Sequence, residues 1–327
     1  VRAILRRGET PPVANPADPQ KAGLLSIPLF HVTGCMAIMV FAIFAGVKLV
    51  LQRRFEPEAA MALIEKEKIT SIGGVPTVAW QILEHPNRDK YDLSSLEAVT
   101  YGGAPAAPEL VRKIKSDLKA AMPGIGWGMT ETSGAATGHI GEEYLTHPDS
   151  CGVPLPIVDL KIVGADGEEV APGEIGELWC KSPGNVKLYW NRPDASAETF
   201  VDGWVVTGDL ARVDADGFYY IVDRAKDMII RGGENIYSVE VENALYEHPA
   251  VMDAAVVPIP HKTLGEEPGA IVALVSGHDA TEDELRAFVA ERLAAFKVPV
   301  RILIQREPLP RNPNGKLLKS ELKKLFL

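Results

Sequence analysis

The sequence predicts an α/β fold in which a large domain, a parallel or mixed sheet with helices plus a small β subdomain, precedes a compact α+β domain. Strand-like and helix-like segments alternate over residues 47–122, and short β-like segments separated by turns follow. Helices and strands then mix again over about 100 residues, a common domain size. We therefore assign residues 1–225 to the large domain, with the α/β layer at 1–150 and the β subdomain at 151–225, and residues 226–327 to the second domain.

The alternation in the first domain is between segments of ordinary length, and several predicted helices have proline in the first turn. The predicted strands are Val47–Leu51, Ile69–Val75 and Leu96–Tyr101, and the predicted helices are Cys35–Ala45, Pro57–Lys68, Pro76–Glu84 and Pro108–Met122. Strands that alternate with helices pair in parallel. Because ligands collect at the carboxyl ends of such strands, the loops Gly102–Ala106 and Gly126–Gly134 are the candidate binding loops.

The β subdomain and the second domain are predicted from shorter segments. The subdomain has β-like segments at Asp159–Val163, Gly176–Cys180, Gly203–Thr207 and Phe218–Val222, separated by turns such as Ala165–Gly167 and Ala215–Gly217. The second domain has predicted helices at Ser238–Glu247 and Thr281–Leu293 and strands at Met252–Pro258 and Gly269–Val275. The stretch Thr207–Asn235 joins the two domains and is the part of the sequence densest in charge and glycine.

Composition restricts the class of protein. Apolar residues make up 46% of the 327 residues and charged residues 24%, which is typical of a soluble globular protein. The net charge of −10 argues against a nucleic-acid-binding surface. The three cysteines (Cys35, Cys151 and Cys180) lie far apart without a C-x-x-C pair, so we expect a reducing compartment, the cytoplasm, and neither a disulfide framework nor a zinc site.

One uncharged segment, Gly23–Val47, has about the length of a membrane crossing, which needs roughly 20 apolar residues. Pro28 and His31 interrupt its first third, and the remaining apolar run is too short to span. We therefore predict a buried core helix and no transmembrane segment, with a membrane segment as the alternative.

Several motifs carry chemistry, and each also has a purely structural interpretation. Gly102 and Gly103 after a strand suit a close ligand approach or a tight turn. Thr130 and Glu131 could serve phosphate and Mg²⁺ together, or Thr130 could simply cap a helix.

The later motifs leave the same choice open. Asp209 in T-G-D could hold a ribose diol or belong to a routine turn. Arg224 offers a rigid fork of donors or a surface salt bridge, and Lys316 follows a turn-rich loop as a mobile lysine or a solvated one.

The order of the motifs is more specific than any one of them. The series is YGGAP, GWGMTETSG, GELWCKSPG, TGDL, DRAKDMIIRGGENIYSVEVE and PRNPNGK. It resembles the superfamily of AMP-forming acyl-CoA synthetases, luciferases and peptide-synthetase adenylation domains, from PLFH at residues 28–31 onward, and is most like a fatty-acid–CoA ligase. In that family a carboxylate attacks the α-phosphate of MgATP to give an acyl-adenylate, and a thiol, usually that of coenzyme A, then displaces AMP. Negative charge develops on phosphate oxygens, so fixed positive charge is the main catalytic resource.

The resemblance implies a role for each motif residue. The residues implied for adenylate formation are Lys316 (bridging carboxylate and α-phosphate), Glu131 (Mg²⁺ ligand), Thr130 (phosphate), Asp209 and Arg224 (ribose), Gly102, Gly103 and Ala104 (adenine and acyl group), and Trp127 with Gly128 beside the adenine. The residues implied for the thioester step are His31 at the acyl pocket near the thiol entry, Lys226 at a hinge, and Gly232, Gly233, Glu234 and Asn235 in a loop that reaches the active site. The second domain is then expected to be mobile, since domain closure between half-reactions re-equips a site.

Two features depart from the family pattern. Trp127 stands where the family usually has Tyr, so an indole can stack on adenine but the phenolic hydroxyl is lost. The Gly/Ser/Thr-rich phosphate loop ending in P-K-G is absent, and in the family it lies upstream of the PLFH segment. We therefore expect this chain to be the C-terminal portion of a longer enzyme, inactive or weak by itself.

The predicted function is that of an ATP-dependent acid–thiol ligase that forms an acyl-CoA from a medium- or long-chain fatty acid. The expected cofactors are ATP or AMP, Mg²⁺ and coenzyme A, the partners are small molecules, and a homodimer is left open. The alternatives are an aryl- or amino-acid-activating member of the family, or a non-catalytic nucleotide-binding or interaction protein. Chain length of the acid cannot be predicted from these motifs.

Overall fold

The computed structural model describes residues 19–103, 106, 108–275, 277–312 and 316–326. The chain forms two compact units. The first unit extends to Thr207 and includes residues 212–220, and the second contains residues 208–211 and the chain from Ile221 onward.

The first unit is built on a seven-stranded sheet. Its strands and those of the β subdomain are β1 (Ala22–Leu25), β2 (Lys48–Leu51), β3 (Ser71–Gly74), β4 (Ala98–Gly102), β5 (Met122–Gly126), β6 (Gly128–Met129), β7 (Gly134–Ala135), β8 (Thr137–Ile140), β9 (Val153–Pro154), β10 (Asp159–Val163), β11 (Gly176–Lys181) and β12 (Phe200–Val201). The large sheet has the order β2-β1-β3-β4-β5-β8-β9. Pairing from β2 to β5 is parallel, as predicted, and β8 and β9 add antiparallel strands.

The first unit also contains helices, several of which pack on this sheet. They are a π-helix (Thr33–Val40) continued by α1 (Phe41–Ala45), then α2 (Pro57–Glu67), α3 (Pro76–Leu83), α4 (Pro108–Asp117), α5 (Glu142–Thr146) and α6 (Pro193–Thr199), with 3-10 turns at Arg88–Lys90 and Thr130–Thr132. In α4 the buried side chains are Leu110, Val111 and Ile114, the spacing of one helical face. They join Met61 and Ile64 of α2 in one core, and each large apolar side chain contributes about 1.5–3 kcal/mol by burial.

The β subdomain has a separate sheet that ends in a β-hairpin. Its sheet has the order β10-β11-β13-β12, with β13 (Trp204–Val213) paired to β14 (Tyr219–Arg224). Alternate residues of β13, from Val205 to Ala211, are buried, as the period of two in a strand requires. The predicted turns before Gly167 and Gly217 are present, and both glycines have positive φ angles of 86° and 83°.

The second unit is a mixed sheet between two apolar layers. Its strands are β15 (Ile229–Arg231), β16 (Glu234–Ile236), β17 (Val251–His261), β18 (Gly265–Leu274) and β19 (Arg301–Gln305), and its helices are α7 (Ser238–Tyr246), α8 (Glu282–Ala290) and α9 (Lys319–Leu322), with 3-10 turns at Ala295–Lys297 and Lys323–Phe326. Val256 of β17 packs with α7 and α8, whereas its neighbour Val257 packs with Leu309 and Leu322 on the opposite face.

Some predicted boundaries were wrong. The helix predicted over Pro108–Met122 ends at Asp117, and residues 122–126 form β5, an interior strand of the sheet. Met122 precedes Pro123, and a residue before proline is disfavoured in helical conformation. The predicted loop Gly126–Gly134 contains two short paired strands, β6 and β7.

The prediction of a buried core helix in the uncharged segment near the start of the chain was wrong. The segment is divided between strand β1, the π-helix and α1. Only Gly34 and Ala42 are buried in its helical part, whereas Ile43 and Phe44 are 72% and 86% exposed. Among the described residues, no helix is both long enough and apolar enough to cross a membrane.

Candidate functional site

Gly102 and Gly103 lie where β4 ends, beside the end of β5. Gly102 pairs with Gly126, and a Cβ at Gly102 would lie 2.5 Å from the carbonyl oxygen of Gly126, so only glycine fits. Gly103 has a positive φ of 74°, which favours glycine. Ala104 lies outside the described residues. The carboxyl ends of these two strands therefore bring the two predicted binding loops together.

The residues after β5 form a tight turn. A Cβ at Gly128 would collide with the carbonyl oxygen of Gly134, which β6–β7 pairing brings opposite. The Thr132 hydroxyl accepts a hydrogen bond from the Met129 amide at 3.0 Å and donates one to the Gly134 carbonyl at 2.8 Å. Side-chain and backbone bonds thus fix this turn, and Thr132, not Thr130, supplies the capping hydroxyl.

Trp127, Thr130 and Glu131 lie on this turn. Trp127 is only 9% exposed, and its amide donates to the Thr137 hydroxyl at 3.2 Å. Thr130 is exposed and begins the 3-10 turn that contains Glu131. Glu131 is half-buried, and its Oε1 accepts a hydrogen bond from the Tyr189 hydroxyl at 2.6 Å.

Glu131 fits the requirements of a magnesium ligand. Its carboxylate is held in one orientation by the Tyr189 hydroxyl. Mg²⁺ usually takes one or two protein carboxylates and completes its shell with water and substrate phosphates. Over the stretches of chain that the structure describes, no group of three or more His, Cys, Asp or Glu residues could hold a metal, so a dedicated protein cage is not present there.

His31 lies just before the π-helix. Its Nδ1 accepts a hydrogen bond from the Thr33 amide at 3.2 Å, and its carbonyl accepts one from the Cys35 amide at 2.9 Å. Gly34 allows a close approach here, because a Cβ would lie 2.6 Å from the carbonyl oxygen of Pro28. The backbone around His31 is therefore fixed by packing.

In the second unit, Asp209 and Arg224 form an ion pair. Arg224 Nε lies 2.6 Å from Asp209 Oδ1, and the two side chains are 41% and 4% exposed. Gly208 has a positive φ of 71°, and its carbonyl accepts a hydrogen bond from the Ala225 amide at 2.9 Å. A buried carboxylate is costly without a partner, and Arg224 supplies that partner while leaving part of its guanidinium exposed.

A second buried charge network starts one residue before Arg224. The Asp223 carboxylate accepts hydrogen bonds from the amide and the hydroxyl of Ser238. Lys319 Nζ donates to Ser238 Oγ at 2.7 Å and lies 2.7 Å from Glu242 Oε1. Burial raises the pKa of both Asp223 and Glu242. Burial opposes the charge of Lys319, but the two carboxylates outweigh it and raise its pKa.

The remaining predicted residues lie on separate segments of the second unit. Lys226 is exposed in the turn after β14. Gly232 and Gly233, with φ angles of 59° and 94°, form the two-residue turn between β15 and β16, and Glu234 and Asn235 are exposed at the start of β16.

Lys316 lies next to residues 313–315, which the structure does not describe. It is half-buried, and its amide donates to Asn312 Oδ1 at 3.0 Å.

The sequence analysis did not predict four residues that hold the Glu131 carboxylate or belong to the charge network around Asp223. They are Tyr189, Ser238, Glu242 and Lys319. Tyr189 is 58 positions from Glu131, and Lys319 is 81 positions from Ser238, so no local pattern links the partners. The available signal was the motif DRAKDMIIRGGENIYSVEVE, which contains Asp223, Ser238 and Glu242.

Comparison with known proteins gives two family matches. Residues 5–190 match the family described as AMP-binding enzyme, and residues 240–316 match the AMP-binding enzyme C-terminal domain. The chain is 39% identical over 307 residues to a feruloyl-CoA synthase of an Amycolatopsis species, covering 93% of this chain and 61% of that protein. It is 38% identical over 299 residues to a long-chain-fatty-acid–CoA ligase of Bacillus subtilis, covering 90% and 52%. The chain thus spans about three fifths or less of the length of these relatives.

Comparison with solved structures supports the same family. The o-succinylbenzoate coenzyme A synthetase of Bacillus subtilis, in complex with ATP and magnesium ion, is similar with a TM-score of 0.82 and 34% identity, covering 98% of this chain and 64% of that one. An anthranilate CoA ligase in complex with anthranoyl-AMP gives a TM-score of 0.85 at 27% identity, covering 94% and 60%. Because the first family match takes in more than half of the chain and the second matches its C-terminal part, this chain belongs to the AMP-binding enzymes, the superfamily of adenylate-forming enzymes that its motif order resembles.

Proposed function

We propose that the full-length protein is an ATP-dependent acid–thiol ligase, which joins a carboxylic acid to ATP as an acyl-adenylate and then transfers the acyl group to coenzyme A. The observation that carries this proposal is the rigid turn of residues 127–134, which presents one oriented carboxylate, Glu131, beside the glycine-lined ends of two parallel strands. Ligands of open α/β sheets bind at such strand ends. The similarity to a feruloyl-CoA synthase and to a long-chain-fatty-acid–CoA ligase supports the same assignment.

The proposed adenylation chemistry uses charges of this chain at stated atoms. Glu131 would hold Mg²⁺, which supplies positive charge to the phosphate oxygens. Thr130 would donate its hydroxyl to a phosphate, and the Lys316 ammonium would hold the substrate carboxylate against the α-phosphate. Such oriented charge lowers the barrier because the negative charge grows in the transition state.

For the nucleoside we propose that Asp209 accepts hydrogen bonds from the ribose hydroxyls. Arg224 would orient this carboxylate through its contact at 2.6 Å. Arginine carries five N–H donors, so the exposed part of the guanidinium would donate to the ribose as well. Gly102, Gly103 and Ala104 would line the adenine and acyl group, with Trp127 and Gly128 beside them.

For the thioester step we propose a movement of the second domain, residues 226–327, about Lys226. The exposed turn of Gly232 and Gly233, with Glu234 and Asn235, would then reach the active site. His31 would lie at the acyl pocket near the thiol entry. Residues 1–225 would stay as the larger nucleotide-binding part, divided at residue 150 into the α/β layer and the β subdomain.

For the acid we propose a medium- or long-chain fatty acid, and the similarity to the long-chain-fatty-acid–CoA ligase supports this class. An aryl acid is the second candidate, favoured by the similarity to a feruloyl-CoA synthase.

The test is coenzyme-A-dependent AMP release by the full-length protein with a panel of fatty, aryl and amino acids. The proposal predicts rapid release with one fatty-acid range. Preference for an aryl acid would reject the fatty-acid assignment while keeping the ligase, and no release with any acid would reject the ligase.

A further inference from the structure

Tyr189 lies in a segment that no predicted site included, yet its hydroxyl is the described hydrogen-bond donor to the Glu131 carboxylate. The phenolic oxygen is 2.6 Å from Glu131 Oε1. A short bond from a neutral donor to an ionised acceptor is among the stronger hydrogen bonds of proteins. Tyr189 therefore acts directly on the direction in which the carboxylate points.

The segment that carries Tyr189 is attached to the same turn at two other places. The Val186 amide donates to the backbone carbonyl of Glu131 at 2.9 Å. A Cβ at Gly184 would lie 3.4 Å from the carbonyl oxygen of Thr132, so the segment passes close to the turn there too. Backbone and side chain of Glu131 are thus held by one stretch of chain.

The backbone and ring of Tyr189 are fixed by contacts with residues in and beside helix α6. Ser196 Oγ accepts a hydrogen bond from the Tyr189 amide at 2.9 Å and donates one to the Arg192 carbonyl at 2.6 Å. The Phe200 ring packs against the phenol with ring centres 5.1 Å apart.

We propose that Tyr189 is a positioning residue for the metal-binding carboxylate, an inference that rests on the proposed function of Glu131. The hydroxyl holds Oε1, and this fixes the direction in which the carboxylate would present its remaining lone pairs to a cation. Without the hydroxyl the carboxylate can rotate, and part of the binding free energy of the metal is spent on orienting it. Partners of metal ligands in this position typically change metal affinity or activity by about 10–100-fold.

The test compares Tyr189→Phe with Tyr220→Phe in the full-length protein. Tyr220 is the matched control, because its hydroxyl also donates to a carboxylate, Asp214 Oδ2, at 2.8 Å, but in the hairpin β13–β14. Calorimetric titration of Mg²⁺ in the presence of a non-hydrolysable ATP analogue measures the metal affinity without turnover. We expect about tenfold weaker Mg²⁺ binding for Tyr189→Phe, and wild-type binding for Tyr220→Phe.

A double variant separates positioning from a general loss of structure. In the Glu131→Gln background the carboxylate is gone, so adding Tyr189→Phe should weaken Mg²⁺ binding little further. Equal weakening in both backgrounds, unchanged binding in Tyr189→Phe, or the same loss in Tyr220→Phe would each overturn the inference.

The wild-type titration distinguishes failure of the positioning role of Tyr189 from failure of the proposed metal-binding role of Glu131. Magnesium-dependent nucleotide binding by the wild type, together with unchanged binding by Tyr189→Phe, would reject the positioning role alone. Absence of magnesium-dependent binding in the wild type would reject the proposed role of Glu131 and this inference with it.

Discussion

Several residues proposed for the function are held by partners in other segments of the chain. Asp209 remains a buried carboxylate because Arg224 lies 2.6 Å away, and Glu131 is oriented because Tyr189 donates to it at the same distance. The exposed side chains differ. Lys226 lies on a turn and Glu234 directly follows one, at the start of β16. The groups proposed for nucleotide and metal binding thus have fixed partners, and the groups proposed for movement lie on or beside turns.

Lys316→Ala should separate the two half-reactions. The proposed role of this ammonium is confined to adenylate formation, and loss of one transition-state charge contact typically costs about 10²–10³ in rate. We therefore expect adenylate formation to fall by about that factor, while thioester formation from supplied acyl-adenylate persists. Single-turnover assays of each step measure both. Lys324→Ala, at an exposed lysine near the end of the chain, is the control.

Equal loss of both steps in Lys316→Ala would contradict the assigned role. A decrease in adenylate formation of the same size in Lys324→Ala would show that removing any lysine from the C-terminal segment has this effect.

For single residues, the sequence predicted the residue types better than it predicted their hydrogen-bond partners. The need for glycine at 102 and 128 follows from backbone contacts that the glycine-rich motifs already indicated. The Tyr189–Glu131 bond could not be predicted, because hydrogen-bond partners 58 positions apart are chosen by tertiary folding alone. The buried group of Asp223, Ser238, Glu242 and Lys319 was missed for the same reason.

Among the elements, the carboxyl-terminal end of α4 shows how charges fix a helix to its neighbours. Asp117 accepts hydrogen bonds from the Ser116 hydroxyl at 2.6 Å and from Arg88 at 2.7 Å, and Lys113 lies 3.3 Å away. These contacts lower the pKa of Asp117 to about 2, with the Ser116 hydrogen bond first among the causes. The carboxylate therefore joins α4 to the segment that follows α3.

Asp117→Asn should lower the free energy of unfolding at pH 7. A carboxyl whose pKa is lowered on folding stabilises the protein above its ordinary pKa of 3.8, and the contribution is lost as the pH falls toward about 2. The expected difference is about 2 kcal/mol at pH 7, narrowing between pH 4 and pH 2. Urea denaturation across this range measures it.

Asp89→Asn is the control for this prediction, because the Asp89 side chain is 94% exposed beside the same Arg88. A difference for Asp117→Asn that stays constant from pH 7 to pH 2, or that Asp89→Asn reproduces, would contradict the account.

Element types were predictable, and several boundaries were not. Parallel pairing followed from the alternation of strands and helices, and the structure confirms it from β2 to β5. Strand β5 was missed because Met122–Gly126 contains a proline and two glycines, residues that are depleted in strands. Its position inside the sheet, between β4 and β8, overrides that preference.

The molecule as a whole carries its family signature in the order of its motifs. Single motifs had structural alternatives, but the series from YGGAP to PRNPNGK indicated the family that both domain matches confirm. The identity of the acid, in contrast, does not follow from the order of the motifs. Relatives of nearly equal identity, 39% and 38%, are named for an aryl acid and a fatty acid. The motif series therefore indicates the family without indicating which acid is bound.

The central claim is that acid-dependent adenylate formation takes place on the full-length protein. The most direct measurement is the exchange of labelled pyrophosphate into ATP, with and without the acid that supports AMP release. The account predicts exchange that requires both the acid and Mg²⁺ and that falls by about 10²–10³ in Lys316→Ala. Exchange that is independent of the acid, or no exchange with any carboxylic acid, would contradict it.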